Sequence, residues 1–279
     1  MREICAEAIA ETVAKLCIEA NIHLPKDVRS CLAEKKSAEL WAPAKEILER
    51  ITENYGIAEA ENIPICQDTG VACVFLEIGQ EVHVIGDLTD AVNEGVRRGY
   101  GEGSLRKSVV RDPLDRVNTG DNTPAMLYTE LVPGEHVKIT VAPKGFGSEN
   151  MSRLAMLKPS DGVSGVKAFV LKAVEEAGPN PCPPVIVGVG IGGTFDKAAL
   201  LAKKALLRET GKPSENPFYA DLEHELLDSI NALGIGPQGF GGKTTALAVH
   251  IESMPTHIAG LPVAVNLNCH VARHKTEVL

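Results

Sequence analysis

Val185-Ile186-Val187-Gly188-Val189-Gly190-Ile191-Gly192-Gly193 decides the fold class: a short β-branched run ending in glycines and giving way to a helical stretch reads as a strand feeding a helix. The strand is expected over 184–189 and the helix over 195–208. The same alternation extends to either side. Strands are expected over 71–78, 82–85, 137–141, 244–251 and 261–267, and helices over 88–99, 162–177 and 218–233. A mixed α/β fold follows, with strand order open. Residues 1–56 read as a helical scaffold ahead of an α/β region over 57–279. Ile4, Cys5, Ala8, Ile9, Val13, Leu16 and Cys17 recur at three-and-four spacing, which places Cys5 and Cys17 on the buried stripe of one helix. Pro25 opens a second helix carrying Val28, Cys31 and Leu32, and a third runs from Leu40 to a stop at Gly56. Gly178-Pro179-Asn180-Pro181 is the candidate boundary between two lobes.

A chain of 279 residues with 44% hydrophobic content can bury a substantial core. It contains no uninterrupted apolar run of the roughly 18 to 20 residues that a membrane span needs. Acidic residues near Met1 and the lack of an apolar stretch there argue against a secretory signal. A net charge of −9 disfavours nucleic acid as a partner, and 4% aromatics are too few for a base-stacking surface. Seven cysteines without a signal fit a reducing cytoplasm better than a disulfide framework.

Three of those cysteines, Cys66, Cys182 and Cys269, sit far apart among glycine, proline and polar residues. Cys5, Cys17, Cys31 and Cys73 lie among periodic apolar residues, where cysteine acts as a small hydrophobe. A four-iron cluster normally takes four thiolates, so a protein supplying three leaves one iron open to substrate. Cys66 adjoins Gln67-Asp68-Thr69-Gly70, which is either a concentration of site chemistry or an ordinary Asx turn. Lys144-Gly145-Phe146-Gly147-Ser148-Glu149-Asn150 is either a backbone cradle for a carboxylate or a plain glycine turn.

Gly188, Gly190 and Gly193 also satisfy the G-x-G-x-x-G spacing of a dinucleotide site, which would make the chain a nucleotide-binding oxidoreductase. The acidic residue at the required distance, Glu209, falls at a helix end rather than after a second strand. Gly241-Gly242-Lys243-Thr244 imitates a phosphate loop, but Pro237 occupies its first glycine position. His257, Cys269, His270 and His274 raise zinc, weakly, since only His270 and His274 have ligand spacing. A non-catalytic metal or interaction subunit is the blandest reading.

Taken together, the segments 65–70, 144–150, 182–193 and 236–242, with His257 and Cys269, closely resemble the iron–sulfur class I fumarate hydratases and L-tartrate dehydratases, and in particular their α subunit. The resemblance covers nearly the full length. It implies an α/β fold of mixed sheets, with an N-terminal helical segment and two lobes around an iron–sulfur cluster. It implies that Cys66, Cys182 and Cys269 hold three irons of a [4Fe-4S] cluster whose fourth iron binds a small dicarboxylate. Gln67 and Asp68 correspond to substrate-pocket residues, Asp68 to the proton-transfer apparatus, Arg106 to a carboxylate-binding arginine, Gly147 to a backbone contact and His257 to a pocket histidine. The implied reaction is reversible hydration of fumarate to (S)-malate, with L(+)-tartrate dehydration as the alternative. The fused enzymes carry a second domain, for which the residues after Cys269 leave no room, so a separate β subunit and an α2β2 assembly are expected.

Overall fold

The computed structural model describes residues 1–279, and the expected alternation of strands and helices runs through it. In chain order the elements are β1 (Arg2–Cys5), α1 (Ala6–Ile22), α2 (Lys26–Ala38), α3 (Ala42–Glu61), β2 (Val71–Gly79), β3 (Val82–Ile85), α4 (Leu88–Glu102), β4 (Met126–Val132), β5 (Val137–Lys144), α5 (Phe146–Glu149), β6 (Arg153–Leu157), α6 (Gly162–Ala177), β7 (Val185–Gly192), α7 (Phe195–Ala205), α8 (Pro217–Ala232), β8 (Ala246–Met254), β9 (Leu261–Asn268) and β10 (Lys275–Val278). No helix is long and apolar enough to cross a membrane. The chain divides into two compact units, the first made of residues 1–25, 55–145 and 273–279 and the second of 26–54 and 146–272. The Gly178–Pro181 stretch expected as a lobe boundary lies inside the second unit, between α6 and β7.

In the first unit the main sheet has the order β10-β5-β2-β4. β5 runs antiparallel to both β2 and β10, while β4 is parallel to β2. Helices α1 and α4 touch backbone to backbone: a Cβ added at Gly95 would stand 2.6 Å from Ala10 O, and one at Gly99 would stand 2.7 Å from Ala14 O. Ile9, Val13 and Leu16 of α1 then join Val92 and Val96 of α4 and Leu76, Ile139 and Val141 of the sheet in one core. Each such side chain contributes roughly 1.5–3 kcal/mol by burial. Two local expectations fail here. Arg2–Cys5 is a strand paired in parallel with β3, so the period of two turns Ile4 inward and leaves Cys5 exposed. Gly56 does not stop α3, which continues to Glu61.

In the second unit the sheet order is β6-β9-β7-β8, with β8 parallel and β9 antiparallel to the central β7. Val185, Val187, Val189 and Ile191 pack on one face against Val166 and Val170 of α6 and Leu222, Leu226 and Ile230 of α8. Gly188 and Gly190 turn to the other face. There a Cβ would come within 2.2 Å of Ala202 O and 2.0 Å of Ala198 O, both in α7. The glycines that mimic a dinucleotide fingerprint are therefore used to let a helix lie directly on the strand. The phosphate-loop mimic has an internal explanation too. Glu39, only 4% exposed, accepts the Lys243 N–H at 2.9 Å with Oε2, so the turn already holds a carboxylate of the chain.

Candidate active site

Cys66, Gln67 and Asp68 lie in the loop between α3 and β2, in the first unit. Both ends of this loop are tied down. Ile65 N–H donates to Asn21 O at 3.0 Å, and the buried Tyr100 hydroxyl lies 2.8 Å from Thr69 O and 3.0 Å from Gly70 O. Burial of that phenol raises its pKa well above the ordinary tyrosine value, so it remains a donor. Asn122 Nδ2 adds a third bond to Gly70 O at 3.2 Å. Within the loop, Asp68 N–H donates to Cys66 Sγ at 3.4 Å, and Asp68 Oδ1 accepts Gly70 N–H at 3.0 Å, closing an Asx turn. The Asx-turn reading of this segment holds, and the turn fixes the direction of the carboxylate. Asp68 Oδ2 lies over Gly145, where a Cβ would be only 3.0 Å away.

Arg106 belongs to the same neighbourhood. Thr69 Oγ1 donates to Arg106 O at 3.0 Å, and Leu105 anchors the segment at 4% exposure. The Arg106 side chain is exposed and makes no hydrogen bond or ion pair within the chain. An exposed, unengaged guanidinium one hydrogen bond from the Asp68 loop is suited to receive a carboxylate through two parallel bonds.

Cys182 and Cys269 come together in the second unit. Cys182 sits between two prolines with φ of +54°, a left-handed conformation that costs a non-glycine residue about 1–3 kcal/mol. Cys269 follows directly on β9, and His270 N–H donates to Cys182 O at 3.3 Å. Gln238, also left-handed, donates to Pro183 O through its backbone N–H at 2.8 Å and through Nε2 at 2.9 Å, and its Nε2 lies 3.1 Å from His270 Nδ1. Gly239 permits this approach, because a Cβ there would meet the Pro179 Cβ at 2.3 Å. The glycine-rich 236–242 segment thus braces the Cys182 loop. Sequence reasoning gave Gln238 no role of its own and weighed His270 only as a zinc ligand, so neither was foreseen as a brace of the Cys182 loop.

Gly147 lies in α5, held to the sheet by Glu149, which takes Lys203 Nζ and Asn266 Nδ2 at 2.7 Å each. A Cβ on Gly147 would meet only Asn180 O, at an ordinary 3.6 Å. Packing within the chain therefore does not explain the glycine, and the space lies toward the Cys182 loop. His257 is placed differently. It is exposed in the turn between β8 and β9, accepting Ala259 N–H at 3.1 Å with Nδ1. Because β9 runs antiparallel from that turn to Cys269, His257 is separated from Cys182 and Cys269 by the length of the sheet, roughly 25 Å.

The seven cysteines form no disulfide. Cys182 is exposed, Cys66 and Cys269 are partly so, and all three lie outside regular elements. Cys17 and Cys73 are buried, and burial pushes the Cys17 thiol up to about 12, so it packs as a neutral hydrophobe. Cys31 is half-buried with its thiol also raised by burial, chiefly, and it donates to Leu247 O at 3.7 Å. No three His, Cys, Asp or Glu side chains converge closely enough to hold a single metal ion, so the compact zinc set considered for Cys269 and the neighbouring histidines does not form.

Residues 10–278 match the family described as fumarate hydratase (Fumerase). Relatives include a Methanocaldococcus jannaschii protein whose provisional name is L(+)-tartrate dehydratase subunit alpha, 46% identical over 273 residues that span 95% of each chain. The L(+)-tartrate dehydratase subunit alpha of Escherichia coli (strain K12) is 35% identical over 272 residues, covering 96% of this chain and 89% of the relative. A family match over almost the whole length, with relatives of this identity and coverage, leaves one conclusion: the chain belongs to the fumarate hydratase (Fumerase) family.

Proposed function

We propose that this chain is the α subunit of a two-chain [4Fe-4S] hydro-lyase that reversibly hydrates fumarate to (S)-malate, its pocket completed by a β subunit in an α2β2 assembly. The observation that carries this reading is the Cys66-Gln67-Asp68 loop with the unengaged Arg106 guanidinium tied to it through Thr69. Cys66, Cys182 and Cys269 would hold the cluster. They suit it as thiols on loops, outside any disulfide, and each would bind a different iron, so they need not converge as ligands of one ion do. Thiols of this kind also suit the reducing cytoplasm. When bound, a cluster with three protein ligands supplies an open iron as Lewis acid for a substrate carboxylate and hydroxyl.

The chain's own residues supply the rest. Arg106 clamps one carboxylate in a fixed plane. Gln67, exposed beside Cys66, offers an amide to the other polar end of the substrate. Asp68 moves the proton at the carbon next to a carboxylate, and its Asx turn fixes the direction from which it does so. Gly147 leaves room for its backbone to approach the substrate. His257 lies a sheet's length from Cys182 and Cys269 within its own unit, so it would reach a pocket built on those cysteines only from another α chain of the assembled enzyme.

L(+)-tartrate dehydration is the second reading, favoured by the names of the relatives. The test is anaerobic co-expression with the β subunit, iron and sulfide analysis, and parallel assays on fumarate, malate and both tartrate enantiomers. We expect about four irons per α chain and turnover of fumarate and malate, both lost when Cys66, Cys182 or Cys269 becomes serine but not when Cys5 does. Turnover of tartrate without malate would replace the first reading by the second, and a complex without iron would overturn both.

A further inference from the structure

Arg273 is only 5% exposed, yet its Nε and Nη1 are buried with no hydrogen-bond partner in the chain. These atoms carry three of the guanidinium's five N–H donors. Its one bond runs from Nη2 to Asp68 O, at 2.5 Å, and both residues belong to the first unit. A buried donor left unsatisfied costs about 1–3 kcal/mol, and more when charged, so a cation at this position is expensive unless something at the site requires it. The other ties on the loop come from neutral groups: Asn21 O at Ile65, the Tyr100 hydroxyl and Asn122 Nδ2 at Thr69 and Gly70, and Arg106 O at Thr69. At Asp68 the backbone is held by a charge.

We propose that Arg273 is a positioning residue. It pins the Asp68 carbonyl, fixing where the Cys66 sulfur and the Asp68 carboxylate point, and it provides the buried counter-charge for a loop that becomes anionic when Cys66 binds iron as thiolate. This rests on the hydro-lyase reading for its catalytic consequence, though not for the loop geometry.

The test compares Arg273→Gln and Arg273→Lys with wild type in two ways. In the anaerobically purified full chain, hydrogen exchange is followed at the amides of residues 66–70. In the complex with the β subunit, iron retention under chelator is measured together with kcat and KM. We expect Arg273→Gln to speed exchange in this segment at least tenfold while amides of β7 and β9 keep their wild-type rates, to lose iron faster, and to lower kcat more than it raises KM. Arg273→Lys, which keeps the charge without the planar fork, should recover part of the kcat and the iron retention. A role in general stability alone would instead speed exchange throughout the unit and give no rescue by lysine. Wild-type exchange in the 66–70 segment of Arg273→Gln, or equal kcat in the two variants, would overturn the proposal. Should Arg273→Gln fail to fold, Arg273→Lys carries the test, and unchanged loop exchange in it would be the overturning result. If the wild-type complex itself shows neither iron nor turnover, the hydro-lyase reading fails, while the exchange measurement still decides the positioning role.

Discussion

At the scale of single residues, one of the side chains proposed for a dicarboxylate site is one that packing leaves over. Arg106 has a backbone fastened by Thr69 and Leu105 and a side chain fastened by nothing, so its removal should leave stability almost untouched. In the assembled enzyme, Arg106→Gln is expected to cost about 1.5–3 kcal/mol of binding to the reacting dicarboxylate, or roughly 10- to 150-fold in kcat/KM. The thermal midpoint should stay within about a degree of wild type, since surface changes away from packed features rarely exceed about 0.5 kcal/mol. Asp68→Asn makes the complementary case, because the amide oxygen can still accept Gly70 N–H and keep the turn. Turnover should fall by about 10² to 10⁴ with iron content unchanged, and near-normal turnover would remove Asp68 from proton transfer. The sequence identified these residue types but not their surroundings. Cys5 and Cys17 share one apolar periodicity, yet Cys5 faces solvent because four extended residues pair with β3 before the helix begins.

At the scale of elements, legibility followed β-branched patterning, which burial favours but which the half-exposed β3 also carries. β2, β3, β5, β7, β8 and β9 were foreseeable as β-branched runs, and α6 falls on its expected bounds. β4, β6 and β10 were missed, and each is an edge strand of its sheet whose half-exposed residues, such as Tyr128, Glu130 and Lys275, need no apolar pattern. β1 was missed too, since its four residues become a strand only through β3. Strand order lies in contacts far apart in sequence and was not legible at all. Glycine carried opposite meanings in two elements, which a pair of substitutions can expose. Gly190→Ala would drive a Cβ to 2.0 Å from Ala198 O, backbone that cannot swing away, and should destabilise the second unit by at least about 1–3 kcal/mol. Gly56→Ala, in the interior of α3 with nothing within 4 Å, should stabilise it by about 0.5–1 kcal/mol. Denaturant midpoints of the two variants shifting in the same direction would refute this account of either glycine.

At the scale of the whole molecule, acid sensitivity is built into the second unit. His250 on β8 is 2% exposed, with Nδ1 lying 3.2 Å from Ala205 O. Burial first, then the nearby Arg208 charge, lowers its pKa from the ordinary 6.5 to about 4, against the opposing pull of Glu223 and Asp27. The unfolded chain takes up this proton as pH falls through about 6.5, whereas the folded chain refuses it until about 4. The stability gained from a neutral buried ring is therefore complete above about 6.5, is lost as pH falls through that window, and is gone below about 4, a total of about 3 kcal/mol. Neighbouring Glu252, whose pKa burial raises, offsets part of the loss, because the folded state accepts that proton more readily than the unfolded one. His250→Gln separates the two effects: it removes the ring and leaves Glu252 in place. The single tryptophan, Trp41, lies in the second unit, so its fluorescence in urea titrations reports this unit's unfolding. Between pH 7 and pH 5 the wild-type chain should lose about 2 kcal/mol more than the variant does, and parallel pH profiles for the two would show that His250 is not the group that sets the acid limit.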